Sequence, residues 1–230
     1  MVAAAADLGP ALRELADMYR QSTGQAISPV FGSSGNLAVQ IRNGAPFDVF
    51  LSADMEYARQ LERAGLASDL YRYAIGKLVV WVPAGSSLSL EHDGLRALDA
   101  SDVRRIAIAN PQHAPYGRAA VAAMKTANVY AQLQRKLVLG ENVSQAAEFA
   151  STGNAQAAFV PLSLALAAGL KDRGRFWLVP ADSYPPIEQG AVVVRSSRHV
   201  RAAESFLAFL KSREAAAVLR RYGFEVPEAK

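Results

Sequence analysis

Short apolar runs alternate with helix-periodic stretches along almost all of this chain, and that alternation constrains the fold more than any other feature. Val2–Ala6 is an unbroken run of valine and alanine, as in a strand buried on both faces. Leu8, Leu12, Leu15, Ala16 and Tyr19 then recur at the spacing of one helix face. Pro10 falls in the first turn, where a missing N–H costs nothing, and Gly24 is the stop. Ala26–Phe31 reads as a second strand, and the tight turn Gly32-Ser33-Ser34-Gly35-Asn36 opens a helix through Leu37, Ala38 and Ile41 to Gly44. Asp48–Leu51 is a third strand, and Ser52-Ala53-Asp54 is a polar start for a helix over Met55–Ala64. This order predicts an α/β fold with a mixed, mainly parallel sheet flanked by helices.

The pattern continues to the end of the chain. Ala74–Val82 is one extended run. Arg105–Ala109, Ala157–Pro161, Phe176–Pro180 and Gly190–Val194 are further strands, and Tyr116–Thr126, Val143–Ser151, Val200–Lys211 and Arg213–Tyr222 are helices. The Gly- and Ser-rich loop Pro83–Ser89 and the Pro-rich stretch Pro180–Pro186 are expected to be passages between two lobes. Residues 1–80 and 190–230 would form the first lobe, and residues 81–189 a second lobe inserted into it.

Composition removes several function classes. The chain has no cysteine, so disulfides, zinc–thiolate sites and cysteine nucleophiles are excluded. The apolar run at Leu78–Val82 is far short of the roughly 20 residues of a membrane span. A net charge of +4 helps to steer anions but is too small to imply nucleic acid. Met1 runs straight into the first strand, so the expectation is an exported protein whose leader is absent from this chain. His92, His113 and His199 are scattered without metal-ligand spacing and are expected at the surface; only His113 falls near a candidate site. Gly32-Ser33-Ser34-Gly35 is one residue short of a G-x-S-x-G nucleophile elbow, and no base stands near Ser34. The expectation is a binding protein rather than a hydrolase, with no cofactor and no free metal cation.

Three strand-to-helix corners share one composition: Ala5-Ala6-Asp7-Leu8, Gly32-Ser33-Ser34-Gly35-Asn36, and Asn110-Pro111-Gln112-His113-Ala114-Pro115-Tyr116-Gly117. A helix start presents unpaired N–H groups and about half a positive charge, and small residues let an anion reach the backbone. Each corner alone is better explained by Ser34 or Asp7 merely capping its helix. Three of one style favour an anion site, at the strand ends where open α/β sheets bind ligands.

The same segments resemble the periplasmic molybdate- and tungstate-binding proteins of bacterial ABC importers. The likeness runs in order from Ala3-Ala4-Ala5-Ala6-Asp7-Leu8 and Phe31-Gly32-Ser33-Ser34-Gly35-Asn36-Leu37-Ala38 to Gly44-Ala45-Pro46-Phe47-Asp48-Val49-Phe50-Leu51-Ser52-Ala53-Asp54. It continues through Asn110-Pro111, Ala114-Pro115-Tyr116-Gly117 and Gly140-Glu141-Asn142-Val143-Ser144-Gln145-Ala146, and ends at Arg221-Tyr222-Gly223-Phe224. The resemblance implies a two-lobed type II periplasmic binding protein fold, a bare tetrahedral oxyanion (molybdate or tungstate) held by neutral donors in a cleft, a monomer, and a membrane permease as partner. It implies contacts from Ala6 and Asp7 at the first corner, Ser34 at the second, Tyr116 in the far lobe, and the Val143 N–H. An additional tyrosine of some members corresponds to Pro161 here. Ferric-ion binders of this fold use adjacent tyrosines; here Tyr71 and Tyr73 are separated by Arg72 and are expected in a connection. A cytosolic sensor domain of the same fold is the other alternative.

Asp7 departs from the family, whose members commonly carry serine or asparagine there. An ionised aspartate only accepts hydrogen bonds, and beside a dianion it is repelled by a few kcal/mol at an effective dielectric near 20. Asp7 can turn away and cap its helix while its N–H holds the anion. It can instead be protonated itself or accept a proton from a protonated oxyanion, or the preferred ligand is a different anion.

Overall fold

The computed structural model describes residues 1–227. Strand β1 (Val2–Ala5) passes through a 3-10 turn (Ala6–Leu8) into α1 (Gly9–Thr23), followed by β2 (Pro29–Gly32), α2 (Ser34–Arg42), β3 (Val49–Ser52), α3 (Met55–Arg63) and β4 (Ala67–Gly76). Next come β5 (Leu78–Pro83), β6 (Ile106–Ala109), α4 (Pro115–Thr126), β7 (Leu137–Gly140), α5 (Val143–Ser151), β8 (Ala157–Pro161) and β9 (Gly174–Leu178), with single-turn helices between some of them. The described chain closes with β10 (Ile187–Val194), α6 (Val200–Leu210) and α7 (Arg213–Arg221). Two compact units result: Met1–Gly76 together with the residues from Glu188 onward, and Lys77–Ile187.

The first unit is built on a five-stranded sheet in the order β2-β1-β3-β10-β4. β1 runs parallel to β2 and β3, whereas β10 is antiparallel to β3. Alternation along the strands sorts side chains to two faces. Val2, Ala4, Val49, Leu51, Ala191 and Val193 meet Leu8, Leu12, Leu15 and Tyr19 together with the apolar stripes of α6 and α7. Ala3, Phe50, Val192 and Val194 meet Leu37, Ile41, Ala58 and Leu61 of α2 and α3. β1 is therefore covered on both sides, which is why its sequence holds no polar residue. Each fully buried leucine of this kind contributes about 1.5–3 kcal/mol.

The second unit has its own five-stranded sheet, β7-β6-β8-β5-β9. β6 is parallel to β7 and β8, and β5 is antiparallel to β8 and β9. Val79, Trp81, Ala107, Ala158 and Val160 pack on Ala146, Ala147 and Ala150 of α5. The buried indole of Trp81 donates to the Leu170 carbonyl at 3.2 Å.

Several expectations are corrected. Ala74–Val82 is not one strand: β4 ends at Gly76 in the first sheet and β5 begins at Leu78 in the second. Pro83–Ser89 accordingly lies inside the second unit, and the chain changes unit at Gly76–Lys77, ahead of that loop. Tyr71 and Tyr73 are part of β4 rather than a connection, because two-residue spacing turns both rings to one face of the sheet. β7 was not foreseen: Leu137–Gly140 is short, and its neighbour β6 is distant in sequence.

Candidate functional site

In the first unit, two corners are brought side by side by parallel pairing. Ala5 is in register with Gly32, so Ala6–Asp7 and Ser33–Ser34 leave the same end of the sheet. Ser34 is the first residue of α2 and is 1% exposed. Its Oγ accepts from the Ala53 N–H at 2.9 Å, so it does not cap its own helix. With a lone pair engaged in this way, the hydroxyl proton remains to be donated, the polarity an anion needs. Sequence reasoning missed Ala53 as its anchor, because the contact joins residues nineteen positions apart.

Ala6 and Asp7 lie in the 3-10 turn, and Asp7 is also only 1% exposed. The N-cap positions of this turn and of α1 belong to Ala5 and Leu8, neither of which has a capping side chain. Asp7 is thus one residue too early for the N-cap role at α1. The negative charge of its carboxylate acts on Tyr73 of β4. The Tyr73 hydroxyl is pushed well above its ordinary value, first by burial, then by the negative charge of Asp7 and by Tyr71. Burial alone raises Tyr71.

The second unit repeats the arrangement with different chemistry. Ala109 is in parallel register with Gly140, which sets the corner after β6 beside the corner after β7. The two are tied by the Asn110 N–H donating to the Gly140 carbonyl at 2.8 Å. Asn110 Oδ1 accepts from the Gln112 N–H, and Pro115 opens α4 with Tyr116 next, 2% exposed. Gly117 is obligatory here: a Cβ would stand 2.0 Å from the Ala109 carbonyl oxygen. At the neighbouring corner a Cβ on Gly140 would lie 2.8 Å from the Ala146 nitrogen. Asn142 caps α5, its side chain accepting from Ser144 and Gln145 N–H groups at 2.9 and 3.2 Å. The N–H of Val143, first residue of the helix, is not engaged by that cap and is the donor left at the helix start. The sequence did not single out Asn142 as the cap of this corner, although an Asn before an apolar-periodic run is a recognisable cap signal.

His113 is partly buried in the same corner, with Nε2 3.9 Å from the Glu141 carboxylate, whereas His92 and His199 are exposed. Pro161 ends β8 in register with Leu78. Among the described residues no group of three or more acidic or histidine side chains is placed to hold a metal ion. Each unit by itself presents donors suited to an unprotonated anion: an oriented hydroxyl in the first, and a phenol with a helix-start N–H in the second.

The family model for bacterial extracellular solute-binding proteins matches residues 1–225. The chain belongs to this family. Among curated solute-binding relatives, the molybdate-binding protein ModA of Rhodobacter capsulatus is 40% identical over 227 residues, covering 97% of this chain and 87% of the relative. ModA of Azotobacter vinelandii is 36% identical over 225 residues, covering 97% and 88%. The solved periplasmic molybdate-binding protein of Azotobacter vinelandii superposes with a TM-score of 0.92 at 34% identity, over 99% of each chain. The α/β architecture is that of this solute-binding protein. No helix among the described residues is long and apolar enough to cross a membrane.

Proposed function

We propose that this solute-binding protein captures a tetrahedral oxyanion, molybdate or tungstate, in the periplasm and hands it to the membrane permease of an ABC importer. The reading rests above all on the donor chemistry: in the first unit Ser34, with its lone pair committed to Ala53, and the N–H groups of Ala6 and Asp7, and in the second unit the Val143 N–H and Tyr116. Neutral, oriented donors suit a dianion that stays unprotonated, because they need no counter-charge to be desolvated with it. The names of the relatives at 36–40% identity support molybdate as the first candidate. The protein acts as a monomer, performs no chemistry on the anion, uses no cofactor and engages no nucleic acid.

Calorimetric titration against molybdate, tungstate, sulfate and phosphate is the direct test. Molybdate and tungstate are expected to bind at least tenfold more tightly than the other two (about 1.4 kcal/mol). Preference for phosphate or sulfate, or no binding by any of them, refutes the assignment. Because ligand binds the folded state, a hundredfold excess over Kd adds about 2.7 kcal/mol, or roughly 5–10 °C in melting temperature. A melting curve indifferent to millimolar molybdate and tungstate would contradict the reading independently.

A further inference from the structure

Gln189 lies near the start of β10, between Glu188 and Gly190, and unlike its partly exposed neighbour Glu188 it is 0% exposed. The Tyr73 hydroxyl donates to its Oε1 at 3.1 Å. That bond orients the amide, because with Oε1 turned to Tyr73 the NH2 end faces elsewhere. Nε2 is buried and has no hydrogen-bond partner. A native interior rarely leaves such a donor unmatched, and where it does, an acceptor from outside the chain is one physical explanation.

The surroundings of Gln189 say what that acceptor is. The β10–β3 register pairs Gly190, the next residue after Gln189, with Ser52, and the residue after Ser52 is Ala53, whose N–H is held by Ser34. On the β4 side, Tyr73 lies within the field of the Asp7 carboxylate. Gln189 thus stands between the neighbours of both corners of the first unit. Asp7, when ionised, brings no donor side chain to its corner. We propose that Gln189 is a further ligand-binding residue, donating Nε2–H to an oxygen of the anion from β10 and supplying the side-chain donor that Asp7 lacks, with Tyr73 as the positioning residue that aims it. This rests on the oxyanion reading above.

The test compares wild type with Gln189→Met, Gln189→Glu and Tyr73→Phe, titrating each with molybdate and tungstate and melting each without ligand. Gln189→Met removes the donor at similar volume and is expected to weaken binding roughly tenfold to a hundredfold. Gln189→Glu keeps an oxygen for Tyr73 but offers the anion a carboxylate, and is expected to weaken binding further. Tyr73→Phe leaves the amide in place but unaimed, so a smaller loss is expected, together with weaker discrimination between molybdate and sulfate. Unchanged affinity in Gln189→Met and Gln189→Glu, with a lowered apo melting temperature, would make Gln189 a structural residue and overturn the inference alone. A wild type that binds none of the anions overturns the functional reading, and this inference with it.

Discussion

The two units solve one problem with different materials. Each places two strand-to-helix corners side by side through parallel pairing, Ala5 with Gly32 in one and Ala109 with Gly140 in the other. In the first unit the corners present side chains: a hydroxyl oriented by a distant backbone N–H, and a buried carboxylate next to tyrosine. In the second, apart from Tyr116, the donors are backbone, and the side chains around them are caps and glycines that set where the backbone goes. The first unit is therefore tunable by exchanging side chains without disturbing the fold. The second is tunable only by moving the main chain, which is costly.

Gly117→Ala gives the largest expected effect. Its Cβ would overlap the Ala109 carbonyl, and backbone cannot rotate aside as a side chain can. A loss of about 3 kcal/mol is expected, roughly 6–12 °C in melting temperature, accompanied by loss of anion binding. A stable Gly117→Ala variant with native affinity would break the contrast between the units. Ser34→Ala should do the opposite, leaving the melting temperature within a few degrees while weakening binding by about 1–3 kcal/mol in calorimetry. An unaltered Kd removes Ser34 from the site.

Alkaline pH probes the first unit more gently, although burial also raises Tyr184 of the second unit. Tyr71 and Tyr73 have hydroxyls raised above the ordinary value of 10.0, so the folded state keeps protons that the unfolded state releases. Stability is complete below pH 10 and falls above it, by up to about 1.4 kcal/mol per pH unit for each tyrosine until its folded value is reached. Denaturant midpoints measured between pH 9 and 11 should fall less steeply in Tyr73→Phe; equal slopes would exclude Tyr73 as a source. The smallest expected effect is that of Asp7→Asn. If the first corner holds the anion through its N–H groups, as proposed for Val143 in the second unit, affinity shifts by less than about threefold and is flat between pH 5 and 8. A tenfold loss in the variant, with steep pH dependence in wild type, would instead show that Asp7 shares a proton with the ligand.

Much of this was legible from residue order. The composition of the corners at Ala6–Asp7, Ser33–Ser34 and Tyr116–Gly117 marked helix starts with room for an anion, and helix periodicity located Val143–Ser151 to the residue. The cap expected at Asp7 was misplaced because a 3-10 turn intervenes before α1, and turn type depends on how the chain leaves a packed strand. Tyr71 and Tyr73 looked like loop residues because the charged Arg72 separates them, although in β4 it simply occupies the other face.

By itself the sequence determined the kinds and order of the elements, since periodicity is a property of residues a few positions apart and needs no partner. Pairing is another matter. The antiparallel insertion of β10 between β3 and β4, the assignment of β4 and β5 to different sheets, and the aiming of Ser34 by Ala53 and of Gln189 by Tyr73 all depend on neighbours that arrive from far along the chain. A strand's own residues record that it will be buried, and only the assembled sheet decides against what.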